Sequence, residues 1–440
     1  MSADRDSLGG DGRAYDVVVV GAGTAGAATA LLCAERGLRV LCIDRRPLEL
    51  AGARWVNGVP ERAFIEAGLA VPVPPELRAR NVPFHLIAGH GPERVTITEH
   101  GALEVDMRLL VARLQADARS AGARLVGEVS VSGMDEQGVH TSRGRVRTRV
   151  AVDASGLSGA RLLDQPRVAP AHICTAAQQV FEVRDRRAAL DFCERHAARP
   201  GEIVCFTGIA GGFSIINVRT DGDEASILTG SIPAVGHPGG KAILNGFRAD
   251  NPWLGKPVFG GARAVPLRRP YDRLASDRIA LIGDAGCQIF PAHGSGIAIG
   301  LLAARVLADA LASGAGLRGY EQTFQRQHGG VLAAFDLFRR FSQTLCVADL
   351  KRMMQSGLME PAMARAAIVQ RLPEVTLSGL AGKLGALTRA PDMAWRMAAT
   401  FARIPIALGL YARYPADPAQ LPRWSRLVAR LFDEPADIQS

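Results

Sequence analysis

The run Tyr15-Asp16-Val17-Val18-Val19-Val20 is too short for a helix and mostly apolar on both faces, the pattern of a strand inside a parallel sheet. It leads into Gly21-Ala22-Gly23-Thr24-Ala25-Gly26, and the alanine-rich stretch behind predicts a helix to about Arg36, ended by Gly37. A second strand over 39–43 closes on Asp44, 23 residues after Gly21. Residues 70–83 are proline-rich and read as irregular. Asp106 is placed to cap a helix running to about Ala121, which Gly122 closes. Short alternating strands follow from Arg124 to Asp153, and further strand-like runs at 203–207 and 213–218 predict a sheet over 165–270. A buried strand at 278–282 enters Gly283-Asp284-Ala285, a helix starts near Gly296, and from about 320 the spacing is helical. Gly314 to Gly319 repeat the spacing of the first glycine turn but follow a helix, so they read as a helix-ending loop. Residues 1–14 are polar and glycine-rich, as in a frayed leader.

The predicted class is α/β. A Rossmann-like domain takes residues 1–164 and 271–319, a β-sheet substrate lobe is inserted at 165–270, and a helical extension fills 320–440.

The first turn carries chemistry. Gly21 permits the tight turn, Gly23 lets the backbone approach a pyrophosphate, and Gly26 lets helix and strand pack closely. The helix N-terminus offers unpaired N–H groups and about half a positive charge to phosphates, and Asp44 is placed to accept from ribose hydroxyls. Arg108, in the first turn of the helix after Asp106, is unfavourable to the helix dipole and calls for an anion.

Composition narrows the classes. Net charge is +9, but the cations are scattered, so no nucleic-acid footprint forms. Seven cysteines, odd in number and without a Cys-x-x-Cys pair, fit neither a disulfide framework nor a zinc ribbon; no metal site is expected, and a cytoplasmic location is. No apolar stretch is long enough for a membrane span. The oligomeric state is left open.

Three segments, the glycine turn with Asp44, Asp153-Ala154-Ser155-Gly156, and Gly283-Asp284-Ala285 with Pro291-Ala292-His293-Gly294-Ser295-Gly296, resemble the superfamily that holds single-component FAD monooxygenases, geranylgeranyl reductases and flavin-dependent halogenases. The resemblance implies FAD, with NAD(P)H as transient reductant. It implies cofactor contacts from Gly21 to Gly26, including Ala22, Thr24 and Ala25, and from Asp44, Arg45, Arg108, Asp153, Gly283, Asp284, Pro291, Gly294 and Gly296. Gly286 and Cys287 stand where phenol-hydroxylase-type members usually carry Ala-His, and Ser155-Gly156 where they carry Asp-Gly; both changes resemble the reductase and halogenase branch. Tryptophan halogenases need an early lysine and a Gly-Trp-x-Trp signature, and this chain has neither.

The leading functional expectation is oxygen insertion: a monooxygenase hydroxylating an electron-rich aromatic substrate. The stretch Gly52-Ala53-Arg54-Trp55-Val56-Asn57 resembles flavoproteins that hydroxylate a tryptophan within a protein during tryptophylquinone assembly, which implies a peptide or protein partner. His293 is the candidate acid/base, with an ordinary pKa of about 6.5. Arg54, Trp55, Asn57, Gln179, Phe206 and Phe213 are the substrate-pocket candidates, with Gln178 beside them. Two alternatives stand: reduction of isoprenoid double bonds, which needs a long apolar tunnel and no oxygen, and a non-catalytic FAD-binding assembly factor.

Overall fold

The computed structural model describes Leu8 and residues 14–373 and 389–438. The leader expected over 1–14 lies outside these, Leu8 and Ala14 apart.

Five parallel strands form the nucleotide half, in the order β18 (Ile279–Leu281), β12 (Thr148–Asp153), β1 (Tyr15–Val20), β2 (Val40–Ile43), β8 (Arg124–Val126). Side chains alternate across a strand, so the two faces of β1 serve different layers. Val17 and Val19 pack into the core with helices α1 (Thr24–Glu35), α3 (Met107–Ser120) and α6 (Ile297–Ala312). Val18 and Val20 pack with Val139 and Val146 of a small antiparallel sheet, β9 (Val131–Asp135), β10 (Gly138–Thr141) and β11 (Gly144–Val146). Small residues let α1 and α6 close on one another: a Cβ on Gly300 would stand 3.1 Å from that of Ala25.

A seven-stranded sheet forms the second half, in the order β17 (Leu254–Pro266), β13 (Ile173–Val183), β16 (Glu224–Ser231), β15 (Ser214–Asp221), β14 (Ile203–Thr207), β5 (Phe84–Ala88), β6 (Arg94–Ile97). All neighbours are antiparallel except β14 and β5. Two of its strands thus come from 84–97, so the lobe is not the single insertion at 165–270 that the strand-like runs predict. Helices α4 (Arg186–Arg195) and α5 (Gly240–Asp250) cover one face, where Phe181, Phe192, Phe206, Ile216, Ile227 and Leu244 are buried together. A third sheet, β3 (Val56–Pro60), β7 (Ala102–Asp106) and β4 (Leu77–Arg80), is antiparallel, and α2 (Glu61–Ala67) follows β3. It places a strand inside the stretch 70–83 that the prolines mark as irregular.

Beyond α6 come α7 (Gly316–Phe324), α8 (Gly330–Gln343), α9 (Val347–Ser356), α10 (Pro361–Ile368), α11 (Pro391–Ala412) and α12 (Leu421–Phe432). The second glycine pattern ends α6 as expected, but its last four residues already belong to α7. A buried ionic network fastens the helical region to the connection between β17 and β18 that leads back to the nucleotide half. Arg269 donates to Glu434 at 3.0 Å and pairs with Asp272, Arg268 reaches Asp437 at 2.7 Å, and Arg339 reaches Asp336 at 2.6 Å. Among the described residues no helix is long and apolar enough to cross a membrane.

Candidate functional site

The glycine turn is built so tightly that side chains are excluded. Gly21 has φ +108°, and a Cβ there would lie 2.4 Å from the Ala154 carbonyl oxygen; one on Gly26 would lie 1.8 Å from that of Gly21. Both distances are far inside contact, so these glycines hold β1, the turn and the β12 loop together. At Gly23 a Cβ would stand 3.1 Å from Gly52 Cα, itself at φ +76°. Helix α1 begins with no side-chain cap and no acidic residue in its first turn, leaving its N–H groups and dipole open to an anion. Asp44 is buried at the end of β2 and accepts from the backbone N–H of Ala22 and of Arg46, both at 2.9 Å. Arg45 is exposed.

Arg108 is folded onto the helix cap: its Nε and Nη2 reach the Asp106 carboxylate at 3.0 and 2.7 Å, and its guanidinium lies over the Phe259 ring, 3.3 Å from the centroid. The anion its position calls for is thus supplied by Asp106. Asp153 is fully buried; one carboxylate oxygen accepts from Ser155 and the other from Leu162 N–H at 2.9 Å. Its acceptors therefore hold the 153–162 loop in shape.

The third motif lies against the same turn. Gly283 has φ +66°, and its missing Cβ leaves room for Ala25. The Asp284 carboxylate points to where a Cβ on Gly296 would be, 3.1 Å away, and no protein donor reaches it among the described residues. Burial raises its carboxyl, opposed by Arg263 of β17. Arg263, which the motif spacing does not single out, also lies in the field of Asp44 and donates to the Gly52 carbonyl. Pro291 is buried, Gly294 takes φ +77°, and Gly296 caps α6. An unpartnered, half-buried carboxylate, two open helix N-termini and a turn with no room for side chains fit a long dinucleotide. Gly21 to Gly26 and Asp44 would hold its adenosine and phosphate end; Asp284 and the 291–296 loop would hold the flavin end.

Cys287 is fully buried and burial pushes its thiol up to about 12, which makes it an inert packing group. His293 departs from the acid/base expectation. Burial pushes its imidazole down to about 4, its Nδ1 accepts from Ser295 N–H at 3.3 Å, and the ring is also hydrogen-bonded to the backbone of Ala367 in α10. A ring held neutral, with Nδ1 on Ser295 N–H and the Ala367 backbone beside it, ties the loop to the helical cover and carries no imidazolium proton to donate at neutral pH.

Beside His293 opens a cavity of about 400 Å³ between the seven-stranded sheet, the third sheet and α8–α11. Trp55, Asn57, Phe213 and Gln178 line it. Asn57 Nδ2 reaches Ser295 Oγ at 3.4 Å, while Gln178 spans from the Val56 backbone to Ser226. The other pocket candidates lie elsewhere. Gln179 is one residue out of phase with Gln178, so it points to the opposite face of β13. Phe206 faces α4, packed against Phe192 and His196, while its neighbour Cys205 takes the cavity side. Arg54 turns back to the Glu49 carbonyl at 2.8 Å. The far wall comes from the C-terminal helices, with Phe335, Phe338, Leu350, Met353, Met359, Met363 and Ile404. Methionines recurring from 353 to 363 are the one sequence signal that marks this wall.

The model of the FAD dependent oxidoreductase family matches residues 16–79. The digeranylgeranylglycerophospholipid reductase of Sulfolobus acidocaldarius is 24% identical, over 96% of this chain and 98% of its own length. Relatives in Methanopyrus kandleri and Methanothrix thermoacetophila carry the same name. Among solved structures, a geranylgeranyl bacteriochlorophyll reductase-like protein of Thermoplasma acidophilum has TM-score 0.69 at 17% identity, covering 88% of this chain and 99% of that one. A variant of halogenase PltM in complex with FAD has TM-score 0.61 at 14% identity over 96% of each chain. The leading expectation, hydroxylation of an aromatic substrate, is overturned: relatives aligned over nearly the whole chain are named reductases. Fold, glycine turn and relatives agree on an FAD-dependent oxidoreductase, similar along most of its length to digeranylgeranylglycerophospholipid reductases.

Proposed function

We propose that this chain is an FAD-dependent reductase of carbon–carbon double bonds in a long isoprenoid chain, with NAD(P)H as the reductant and the cytoplasm as its compartment. The observation that carries the reading is the cavity: apolar over most of its wall and continuous from Ser295 and His293 on the cofactor loop to the methionine-lined helices. Such a wall suits a flexible hydrocarbon, because methionine side chains adapt to irregular shapes, and it excludes water from the reacting carbon.

When bound, FAD supplies the two-electron reducing power. The chain's own groups supply position. Gly21 to Gly26, Asp44 and Asp284 would hold the cofactor, His293 ties its loop to α10, Asn57 joins β3 to that loop at Ser295, and Gln178 fixes β3 against the large sheet.

The test is purified holoenzyme with NADPH, or with dithionite as chemical reductant, and geranylgeranyl substrates under argon. Mass spectrometry is expected to show two hydrogens gained per reduced double bond. A product that forms only in air and carries added oxygen, or no product with either reductant, overturns the reading.

A further inference from the structure

The cavity changes character along one strand. On the inner face of β15 the order is Ile215, then Asn217, Arg219 and Asp221; on β16 it is Leu228, then Ser226 and Glu224. Glu104 of β7 and Arg78 of β4 line the same end from the third sheet, and Arg78 pairs with Glu224 to bridge the two sheets. An apolar tunnel with one polar end is the shape of a binding site for an amphiphile, and the groups there say which head it takes.

Each cation is already matched. Arg78 is held by Glu224, and Arg219 lies 3.1 Å from Asp221 and donates to the Gly201 carbonyl at 3.0 Å. Glu104 adds a third carboxyl, which burial raises against the pull of Arg219. His100, also on this wall, is committed to Val82 and Ala102 and is held neutral by burial. Two guanidiniums against three carboxyls leave no positive surplus for a phosphate. Asn217 Oδ1 is buried there without a hydrogen-bond partner among the described residues, an acceptor waiting for a donor.

We propose that this end is a recognition site for an uncharged, hydroxyl-bearing head of the isoprenoid substrate, with Asn217 accepting from the hydroxyl, and that it discriminates against phosphorylated heads. The inference rests on the reductase reading and adds the class of head group. A phosphate brought among Glu224, Asp221 and Glu104, with both guanidiniums already committed, meets like charge and no free cation, and that is what rejects the alternative.

The experiment is equilibrium binding to the holoenzyme with its flavin oxidised, so that no turnover occurs, read by perturbation of the flavin absorption. Geranylgeraniol and geranylgeranyl diphosphate are compared on wild type, Asn217→Leu and Glu224→Gln. Wild type is expected to bind the alcohol about tenfold or more tightly than the diphosphate. Asn217→Leu is expected to weaken the alcohol about 3- to 10-fold and leave the diphosphate unchanged. Glu224→Gln frees Arg78 and is expected to tighten the diphosphate alone. A diphosphate that binds wild type as well as the alcohol, or variants that shift both ligands in parallel, overturns the head-group inference while leaving the reductase reading intact. Binding of neither ligand overturns both.

Discussion

Acid should loosen this fold well above the range where carboxylates titrate. Burial pushes His172, His293 and His328 from 6.5 down to about 4. Above about pH 6.5 folded and unfolded chains are both neutral at these rings, and no proton is exchanged on unfolding. As pH falls below that, the unfolded chain takes up protons that the folded chain refuses until about pH 4, so stability is lost with falling pH. At about 1.4 kcal/mol per pH unit, refusing one proton over roughly 2.5 units costs about 3 kcal/mol, and three rings give a ceiling of about 10 kcal/mol. Asp272 acts in the opposite sense. Burial holds its carboxyl above the ordinary value despite Arg269, so the folded chain binds its proton first and offsets roughly one histidine. These four groups together give roughly 6 kcal/mol lost between about pH 6.5 and 4, with a slope near 3 kcal/mol per unit around pH 5. Denaturant midpoints of the holoenzyme at saturating FAD measure it, alongside His328→Phe, which keeps the ring stacked near Phe324 while removing the titration. That variant should flatten the slope by about 1.4 kcal/mol per unit. A flat stability profile in wild type, or an unaltered slope in the variant, refutes the reasoning. Nitrogen resonances of the His293 ring, unchanged between about pH 8 and 5.5, would report the same property at one site.

Three further outcomes follow from the packing. Gly26→Ala must push apart Gly21 and α1, because its Cβ would otherwise lie 1.8 Å from a carbonyl oxygen. The cost should be about 3 kcal/mol or more, seen as loss of bound flavin on gel filtration; full flavin content would contradict it. Asp284→Asn removes a desolvated carboxylate, so the apo form should gain up to about 1 kcal/mol while FAD binds about 3- to 10-fold more weakly; fluorescence titration and melting separate the two effects. Arg269→Met strips Asp272 and Glu434 of their shared cation inside the protein and should cost about 3–5 kcal/mol. Hydrogen exchange is expected to rise first in the segment around Glu434, and uniform protection there would count against the network's anchoring role.

The nucleotide half was legible because its signals are local. The valine run, the glycines and Asp44 lie within thirty residues of one another, and the Asp106 cap sits directly on its helix, accepting from Arg108 N–H at 3.1 Å. The second half was less so. Strand β5 pairs with β14 far along the chain, a partnership that no local pattern announces. Ile203-Val204-Cys205-Phe206-Thr207 is apolar on both faces, so alternation could not show that Cys205 meets the cavity while Phe206 meets α4. His293 looked like an ordinary titrating ring because what lowers it is burial in the folded chain, which nothing in the local sequence announces. The choice between oxygen insertion and reduction turned on the relatives, and the wall contributed by α8–α11, which suits the reductase reading, comes from helices that carry no chemical motif.

The two-sided strands of the large sheet have a consequence for how the substrate range of such an enzyme can change. Cys205, Ile215 and Leu228 line the cavity, while Phe206, Ile216 and Ile227, each next to one of them in sequence, hold the core under α4 and α5. Mutation at every second position can therefore remodel the chamber without unseating the domain, and mutation at the positions between cannot. A library diversified at 205, 215 and 228 should yield mostly folded variants with altered chain-length preference, and one diversified a single residue away should yield mostly insoluble protein: selectivity and foldability are written in alternate letters of the same strands.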